Sequence, residues 1–457
     1  MGIFRKHKIS ATGRFSRIIN KVKKMEGKIR AEWDTLRKVV VHKPGIEMFM
    51  GLLDPEASLY ERAFNRYRAR SEHETLQRTL KEEFGVSVQR LDKTLADISE
   101  RDTSAREKLI TAALSILQFE GTPAEVKEAE DQLKGNTELY DTNHFIDILL
   151  LRPEVHLKSA RGASSAHMRI TSNDPLSNLY FMRDQQATTD KGIFMSRMSK
   201  PQRRHEPEVT ELVWRAMGLP VVGGGTGNAT IEGGDFIPMK DFALLGNGDR
   251  TNDEGVKQML SSGLGFDEVA VVHQPLHPLI PGDQPDPMID MHVDTYFNVA
   301  SSSTVVGSEL LLNNAVVEVY LKESEGNYKK SKTKTNLHDY IKSKGFNIIG
   351  LSTLEQMAYS SNFLCIKDGT ILAIDSARII KSVVNDLTFK AEENRSRYGA
   401  LLDEVKKEYS QFTGNGGVFP YKKEIYENGI DAYALNLENI TGGYGGAHCM
   451  TAVIERA

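Results

Sequence analysis

Short runs of β-branched and aromatic residues recur along the chain, and their spacing limits the possible folds more than any other feature. The first run, LRKVVVHKPG at 36–45, predicts a buried strand that enters a Pro-Gly turn. A charged stretch at about 58–84 has apolar residues at helical spacing, and VSVQRL at 86–91 predicts a second strand. The later runs are GIFMSR, DFALLG, EVAVVHQP, NVASSSTVVG, AVVEVYL, NFLCIKDGTILAI and a last run ending in MTAVIERA. Strands that alternate with helices and turns predict an α/β fold, either a doubly wound sheet or a propeller of repeated ββαβ units.

The pattern changes to helical between about 93 and 165. AREKLITAALSILQF and PAEVKEAEDQLKG both have helical composition, and the second carries Pro123 in a first-turn position and Gly135 as a stop signal. We expect an inserted helical subdomain here, within one catalytic domain that spans 31–457.

Residues 1–30 hold ten Lys/Arg and one acidic residue, Glu26. We expect a solvated basic extension that is dispensable for catalysis, so that a chain starting at Met25 keeps its fold and activity. An anionic surface or nucleic acid is the alternative partner for this segment.

The composition of the 457 residues is that of a soluble globular protein, with 40% hydrophobic residues and a net charge of −4. Two cysteines cannot form a disulfide framework, and no segment is typical of a secretory signal or a membrane span. The sequence therefore predicts a cytoplasmic protein, and the net charge favours neither nucleic acid nor a membrane as partner.

One cysteine, Cys449, lies in the segment GGYGGAHCMT at 442–451. A buried cysteine is usually an inert small hydrophobic residue, but glycines on both sides favour a thiol displayed on a loop. A nucleophilic thiol also needs a setting that favours thiolate and a partner that handles protons.

Three polar clusters are candidates for those partners. They carry Asn178, Arg183 and Asp184 in NLYFMRDQQAT, Glu232 and Asp235 in TIEGGDF, and His292 and Asp294 in MHVDTYF. We expect the first to end an aromatic-rich strand. If MHVDTYF is an extended strand, His292 and Asp294 leave the same face. The glycine pair of the second cluster allows carboxylates to approach a ligand closely.

Each cluster also has a structural explanation, because Asp184 can pair with a neighbouring arginine, EGG can be a turn, and a single histidine is more often structural than catalytic. Metal binding is disfavoured, since HExxH and paired CxxC motifs are absent from the sequence. Phosphate-binding GxxxxGK[ST] and the GxSxG elbow are absent as well. Cysteine, histidine and carboxylates together suit a planar cation such as guanidinium, which carboxylates bind by paired hydrogen bonds and a thiol attacks.

The motifs NLYFMRD, IEGGDF, MHVDTYFNV and GGAHCMT, with the opening strand LRKVVVHKPG, resemble the arginine deiminase family in order and context. The resemblance runs from about residue 36 to the C-terminus. It implies a pentein fold, a five-bladed ββαβ propeller with a helical insertion, and hydrolysis of arginine without a metal or organic cofactor. As partners we expect the small guanidino substrate and further copies of the chain, but no nucleic acid or membrane.

The resemblance also implies roles for single residues. Cys449 is similar to the nucleophile, His292 to the general acid/base, Asp184 and Asp294 to the guanidinium-binding carboxylates, and Glu232 to the glutamate that supports the histidine and the substrate. Arg203 and Arg250 are similar to the arginines that bind the substrate carboxylate, and Asn178 is the substrate-binding residue beside them. Arg204 is expected to be structural. Two positions depart from the family: Tyr444 stands where an arginine is common, and LYERAF at 59–64 replaces an acidic FDD-like loop.

These observations support three functional hypotheses. The first is hydrolysis of free L-arginine to L-citrulline and ammonia. The second is a hydrolase for another guanidine, such as agmatine or a methylated arginine, which Tyr444 and the altered loop favour. The third is a non-catalytic arginine-sensing pentein, which the joint presence of thiol, histidine and carboxylates disfavours.

Overall fold

The computed structural model describes residues 27–157, 169–286, 289, 291–415 and 417–457. Its strands, in chain order, are β1 (Leu36–Val41), β2 (Ser87–Arg90), β3 (Gln118–Glu120), β4 (Pro153–His156), β5 (Arg169–Ser172), β6 (Gln186–Thr188), β7 (Ile193–Met195), β8 (Val221–Gly224), β9 (Phe236–Pro238), β10 (Phe242–Asn247), β11 (Glu268–His273), β12 (Phe297–Val299), β13 (Thr304–Ser308), β14 (Val316–Ser324), β15 (Asn327–Asn336), β16 (Asn347–Leu351), β17 (Leu364–Lys367), β18 (Thr370–Ile374), β19 (Asp431–Leu435) and β20 (Ala452–Arg456).

The α-helices lie between these strands. They are Ile46–Gly51, Arg66–Glu82, Leu91–Arg101, Thr103–Ile116, Pro123–Gly135, Thr142–Leu151, Glu206–Ala216, Asp253–Ser262, Glu309–Asn314, Leu337–Ser343, Thr353–Met357, Ser376–Glu393, Arg395–Asn415 and Lys423–Glu427. The α/β class expected from the sequence is confirmed. In the described residues, none of these helices combines the length and the apolar character needed to cross a membrane.

Five sheets share one strand pattern. In each, the first strand runs antiparallel to the middle strand, and the middle strand runs parallel to the third. The sheets are β20-β1-β2, β6-β7-β8, β9-β10-β11, β12-β13-β16 and β17-β18-β19. The connection from the middle strand to the parallel third strand contains at least one helix in every sheet, so each sheet and its helix form a ββαβ unit. The first unit joins β20, from the end of the chain, to β1 and β2 from its beginning.

The middle strands explain why the sequence shows unbroken apolar runs. All five residues of β13 and of β18 are buried, as are five of the six in β10. A strand that is covered on both faces contains consecutive apolar residues rather than an alternating pattern. Helices and neighbouring loops cover both faces, and the apolar cores of the protein form there.

Two additions distinguish individual units. The hairpin β14–β15 extends the third sheet beyond β11. Residues 91–151, where a helical insertion is expected, contain four α-helices, and beside them β3, β4 and β5 form a small separate sheet. The helix Pro123–Gly135 begins at the predicted proline, and Thr122 caps it in a capping box with Glu125.

The segment just before β1 is part of the folded body. The N–H of Gly27 donates to the carbonyl of Ile454 at 2.6 Å, Lys28 forms a bridge with Glu455, and the side chain of Ile29 is buried. Residues 27–30 of the predicted basic extension therefore pack against β20. The rest of that extension, including Met25, lies outside the described residues.

Three local predictions are wrong. The helix expected from about 58 begins at Arg66, because Asn65 caps it by accepting from the N–H groups of Tyr67 and Arg68. NLYFMRD forms consecutive turns rather than a strand, which buries its aromatic side chains on several sides. His292 precedes a 3₁₀ turn, Val293–Thr295, so the pair it makes with Asp294 comes from a turn and not from an extended strand.

Candidate active site

Four predicted site residues and one further residue occupy equivalent places in the five ββαβ units. Each unit has a loop just before its first strand, and each of these loops carries a buried polar residue or thiol. The residues are Asp184 before β6, Glu232 before β9, Asp294 before β12, Asn362 before β17 and Cys449 before β20. A repeated fold thus brings five chain segments to one place.

A small cavity of about 20 Å³ lies where these loops meet. Six of the eight predicted site residues line it: Asn178, Asp184, Arg203, Arg250, His292 and Cys449. The other two, Glu232 and Asp294, lie behind this wall and contact its residues. All eight side chains are at least 95% buried, a setting in which charge interactions are strong.

The thiol of Cys449 is hydrogen-bonded on two sides. Its Sγ lies 3.5 Å from Oδ2 of Asp294 and accepts from the side-chain amide of Asn362 at 3.1 Å. Burial raises the pKa of the Cys449 thiol well above its usual range, and the carboxylates of Asp294 and Asp184 raise it further. At neutral pH the sulfur is therefore a neutral thiol, and a cation beside it would favour thiolate.

His292 is surrounded by carboxylates. Its Nε2 lies 2.9 Å from Oε2 of Glu232, and its Nδ1 lies 3.8 Å from Oδ1 of Asp184 and 3.9 Å from Oδ1 of Asp294. Burial opposes a charge on the ring, but Asp184, Glu232 and Asp235 outweigh it and raise the pKa of His292 to about 9. The imidazole is thus protonated at neutral pH and can act as a proton donor.

Two carboxylate oxygens point at the histidine without a hydrogen-bond donor of their own in the described part of the chain: Oδ1 of Asp184 and Oδ1 of Asp294. Their partner oxygens are bound, because Oδ2 of Asp184 accepts from Arg203 at 2.7 Å and Oδ2 of Asp294 pairs with His448 at 2.8 Å. Buried carboxylate oxygens are costly when unpaired. A ligand with N–H groups on two sides would satisfy both.

Glu232 holds the histidine from behind. Oε1 of Glu232 accepts from the N–H of Ser199 at 2.9 Å, and Oε2 lies 3.6 Å from Nη1 of Arg250. Burial alone would raise the pKa of Glu232, but Arg250 and His292 lower it well below its usual range. The carboxylate stays ionised and keeps the imidazole in position.

The second glycine of IEGGDF is required by close packing. A Cβ on Gly234 would lie 2.7 Å from Nδ1 of His292 and 3.1 Å from Oδ1 of Asp184. The backbone can therefore approach the histidine and the carboxylate only without a side chain. The expectation that these glycines permit close approach of polar groups agrees with this geometry.

The two arginines of the cavity wall differ in their contacts. Arg203 donates through Nη1 to Asp184 and through Nε and Nη2 to the buried Glu206, at 2.7, 3.0 and 2.8 Å. Arg250 lies beside Glu232 and donates through Nη2 to Sδ of Met291 at 3.2 Å. Arg204, expected to be structural, is exposed and pairs with Asp174 at 3.0 Å.

Segment 59–64 and the segment that carries Tyr444 lie together at the cavity. Leu59 and Tyr444 both line it, and the N–H of Glu61 donates to the carbonyl of Gly442 at 2.8 Å. Tyr359 donates to the carboxylate of Glu61 at 2.5 Å and packs edge-on against the ring of Tyr444. The two places expected to depart from the family are therefore connected through Gly442 and Tyr359.

Asp184, Glu232 and His292 are the group in the described residues whose ligand atoms lie close enough to hold a metal ion. Arg203 and Arg250, however, already lie 2.7 and 3.6 Å from two of these carboxylates. Two adjacent guanidinium groups make the site unfavourable for a further divalent cation.

Sequence reasoning missed four residues that connect the site to the fold. They are Asn362, His448, Glu206 and Glu32. Asn362 had a signal, because it is the first residue of the predicted run NFLCIKDGTILAI, and it lies two residues before the observed β17, as Asp184 lies two residues before β6. Glu32 pairs with Arg183 and Arg456 far away in the sequence, and no local pattern indicates that.

The raised pKa of His292 predicts how stability depends on pH. A histidine whose pKa rises from about 6.5 to about 9 on folding stabilises the protein fully below about pH 6.5, and this contribution is lost as the pH rises to about 9. We expect the free energy of unfolding to fall by about 3 kcal/mol more in the wild type than in His292→Gln over this range. Urea titrations of both proteins at about pH 6 and about pH 9.5 measure this fall. An equal fall in the free energy of unfolding of the two proteins would contradict the prediction.

Comparisons with known proteins place the chain in a family. Residues 57–456 match the family model of arginine deiminase. The chain is 23% identical to the arginine deiminase of Halobacterium salinarum, over 93% of this chain and 96% of that protein. It is 24% identical to the arginine deiminase of Oenococcus oeni, over 88% and 98%.

Two solved structures are similar over most of the chain at low identity. DDAH from Pseudomonas aeruginosa complexed with citrulline aligns with a TM-score of 0.47 and 13% identity, over 91% of this chain and 98% of that one. The substrate-bound N-terminal domain of ArgZ, a cyanobacterial arginine dihydrolase, aligns with a TM-score of 0.49 and 11% identity, over 92% and 98%. Because the family model matches nearly the whole sequence, the chain belongs to the arginine deiminase family.

Proposed function

We propose that the protein hydrolyses free L-arginine to L-citrulline and ammonia through a covalent intermediate on Cys449. The observation that carries this proposal is a pair of carboxylate oxygens, Oδ1 of Asp184 and Oδ1 of Asp294, that accept no hydrogen bond in the described residues. Both oxygens lie beside His292, close to the thiol at the buried cavity. A planar guanidinium group has N–H donors along each edge and fits between two carboxylates.

The chemistry follows from the charges of the site. When the substrate cation binds between Asp184 and Asp294, it offsets the negative field that keeps Cys449 protonated, and the thiol releases its proton to water; ammonia takes up this proton after it departs. The thiolate attacks the guanidinium carbon and forms a C–S bond. His292, which is protonated, gives its proton to the departing nitrogen, and ammonia leaves.

The second half of the reaction uses the same histidine in reverse. Neutral His292 now takes a proton from water, whose oxygen attacks the amidino carbon. As the C–S bond breaks, the hydroxyl proton of the intermediate goes to the sulfur, citrulline departs, and the neutral thiol and the imidazolium are restored. Glu232 keeps the ring oriented through both halves by its hydrogen bond to Nε2.

The arginines of the wall suit the other end of the substrate. Arg250 and Arg203 line the same cavity as Cys449, and Asn178 adds an oxygen without a donor in the described residues. Removing one cation from a buried pair with the substrate carboxylate costs about 2–5 kcal/mol. We therefore expect Arg250→Ala to lower kcat/KM for arginine by the factor that corresponds to this loss of transition-state stabilisation. The decrease should be smaller for agmatine, which has no carboxylate. Steady-state kinetics on both substrates measure the difference.

Arg204→Ala is the matched control, because Arg204 neighbours Arg203 in sequence but is exposed and lies outside the cavity. Its kinetics should equal those of the wild type. Arginine turnover that is indifferent to Arg250→Ala would contradict a carboxylate held at this end.

A second candidate function is hydrolysis of a different guanidine, such as agmatine or a methylated arginine. The observation that favours it is the set of internal ion pairs of Arg203, which already binds Glu206 and Asp184. Tyr444, in place of the family's arginine, points the same way. A non-catalytic sensor is less favoured, because thiol, histidine and carboxylates are all retained and in contact.

The five ββαβ units favour the finer fold as well. We propose that they form the five blades of a pentein propeller, with the site where the five loops meet and with the first and last strands closing one blade. The reducing environment of the cytoplasm would keep a nucleophilic thiol free. Assembly of the chain into a homo-oligomer stays a prediction.

Product analysis after incubation with a panel of guanidines tests the proposal. The panel contains L-arginine, agmatine and mono- and dimethylated arginine. Citrulline and ammonia from free arginine, with little turnover of agmatine, is the expected result. Turnover of agmatine or a methylated arginine in preference to arginine would support the second candidate, and binding of arginine without any product would support the sensor.

A further inference from the structure

Asn362 connects the loop of the nucleophile to the loop of the histidine. Its side chain is almost fully buried, and the amide Nδ2 donates to Sγ of Cys449 at 3.1 Å and to the carbonyl of Asp294 at 3.2 Å. Its Oδ1 accepts from the N–H of Gly446 at 2.8 Å and from the N–H of Cys449 at 3.0 Å. All four contacts involve the loops that carry the reacting groups.

The orientation of this amide is determined by its neighbours. Two backbone N–H groups, those of Gly446 and Cys449, require an acceptor, so the oxygen has to face them. The NH₂ end is then directed at the sulfur and at the carbonyl of Asp294. A flipped amide would place donors against donors, which buried groups do not tolerate.

The position in the fold points to a function as well. Asn362 is the contribution of the fifth ββαβ unit, in the loop before β17, where the other four units carry the predicted carboxylates and the thiol. Asp294 and Asp184 disfavour a negative sulfur, whereas the N–H of Asn362 favours it. A hydrogen bond to a charged acceptor is about twice as strong as one to a neutral acceptor, so this donor acts mainly on the thiolate.

We propose that Asn362 is a catalytic residue, whose amide N–H stabilises the Cys449 thiolate while its carbonyl oxygen holds the loop that carries the sulfur. This inference rests on Cys449 being the nucleophile of the proposed function. The amide is neutral throughout and transfers no proton, and its hydrogen bond to sulfur is strongest before the C–S bond forms and after it breaks.

Alkylation of Cys449 by 2-chloroacetamidine tests the proposal without arginine turnover. This planar amidinium cation suits the carboxylates, and the thiolate displaces its chloride to form a C–S bond. At neutral pH we expect Asn362→Ala to lower the alkylation rate about 10-fold, because a hydrogen bond to the reactive thiolate is lost. A folded Asn362→Ala protein that is alkylated at the wild-type rate would overturn the proposal.

Asn298→Ala is the matched control. Asn298 is a buried amide that donates to the carbonyls of Ser361 and Phe363, at 2.8 Å each, on both sides of Asn362, but it does not contact the sulfur. We expect it to lower the melting temperature and to leave the alkylation rate of the folded protein close to that of the wild type. If both variants slow alkylation equally, Asn362 only supports the loop and the proposal fails.

Asn362→Asp separates the two ends of the amide. It keeps the oxygen that Gly446 and Cys449 bind but directs a negative oxygen at the sulfur, so alkylation should be slower than in Asn362→Ala. Alkylation faster than in Asn362→Ala would contradict the proposal. Should neither variant fold, a crystal structure of the wild type decides: Nδ2 within hydrogen-bonding distance of Sγ supports the proposal, and a larger separation overturns it. Failure of arginine turnover in the wild type would instead contradict the proposed function.

Discussion

Cys449→Ala is expected to abolish the formation of citrulline, with a loss of at least about 10⁴-fold in kcat, because the described lining of the cavity contains no second thiol to attack the guanidinium carbon. The protein should still fold, since alanine at this position keeps the backbone N–H that donates a hydrogen bond to Oδ1 of Asn362. Citrulline production over time, with a circular dichroism spectrum to verify folding, measures the effect.

Cys365→Ser is the control for this prediction. Cys365 is a buried thiol on β17, bonded to the carbonyls of Ala300 and Lys367 at 3.6 and 3.4 Å, and burial raises its pKa to about 12. Its replacement should leave turnover nearly unchanged. Retained activity in Cys449→Ala combined with lost activity in Cys365→Ser would contradict the assignment of the nucleophile.

His292→Ala is expected to lower kcat by about 10²–10⁴-fold, because the departing ammonia loses its proton donor and the water loses its base. Binding of arginine should persist, since Asp184 and Asp294 remain. A KM that changes little while kcat falls would distinguish this loss of chemistry from a loss of binding.

His273→Ala is the matched control for the histidine, because His273 is partly exposed at the end of β11 and pairs with Glu318 at 3.3 Å, outside the cavity. Its kinetics should equal those of the wild type. A folded His292→Ala protein with near wild-type kcat would mean that another group carries the proton.

The sequence was most informative where packing produces a simple pattern. An unbroken apolar run such as β10 is buried on both faces, and such burial permits few residue types, so the run DFALLG predicted this strand close to its observed bounds. The run NVASSSTVVG, in contrast, contains parts of two strands, β12 and β13. The site residues were recognisable for a related reason. Chemistry requires a thiol, a histidine and carboxylates, and each stands in a short motif beside glycines or turns.

Pairings between distant segments could not be predicted. Glu206 neutralises Arg203, and Glu32 neutralises Arg183 and Arg456, yet nothing in the local sequence around either glutamate indicates a buried ion pair. A buried charged side chain is stable only when an oppositely charged side chain lies beside it. Here that partner comes from a distant part of the sequence, so the pairing depends on the whole fold.

The errors also have physical causes. The strand expected for NLYFMRD is a series of turns, because its aromatic residues are buried by tertiary contacts and not by a sheet. The hairpin strand β15 contains lysines at four of its ten positions and was missed, since an exposed edge strand lacks the apolar residues that mark a buried one. The helices Ser376–Glu393 and Arg395–Asn415 were missed as well.

The most direct test of the account is to locate the covalent intermediate. Wild-type protein and His292→Ala are mixed with L-arginine and quenched with acid at several times, and their peptides are mapped by mass spectrometry. We predict an added mass equal to arginine minus ammonia on the peptide that contains Cys449 of the wild type. In His292→Ala this mass should appear and disappear more slowly, because both steps lose their proton carrier. An arginine-derived mass on Cys365, or release of citrulline by a protein whose Cys449 has been replaced, would contradict the account.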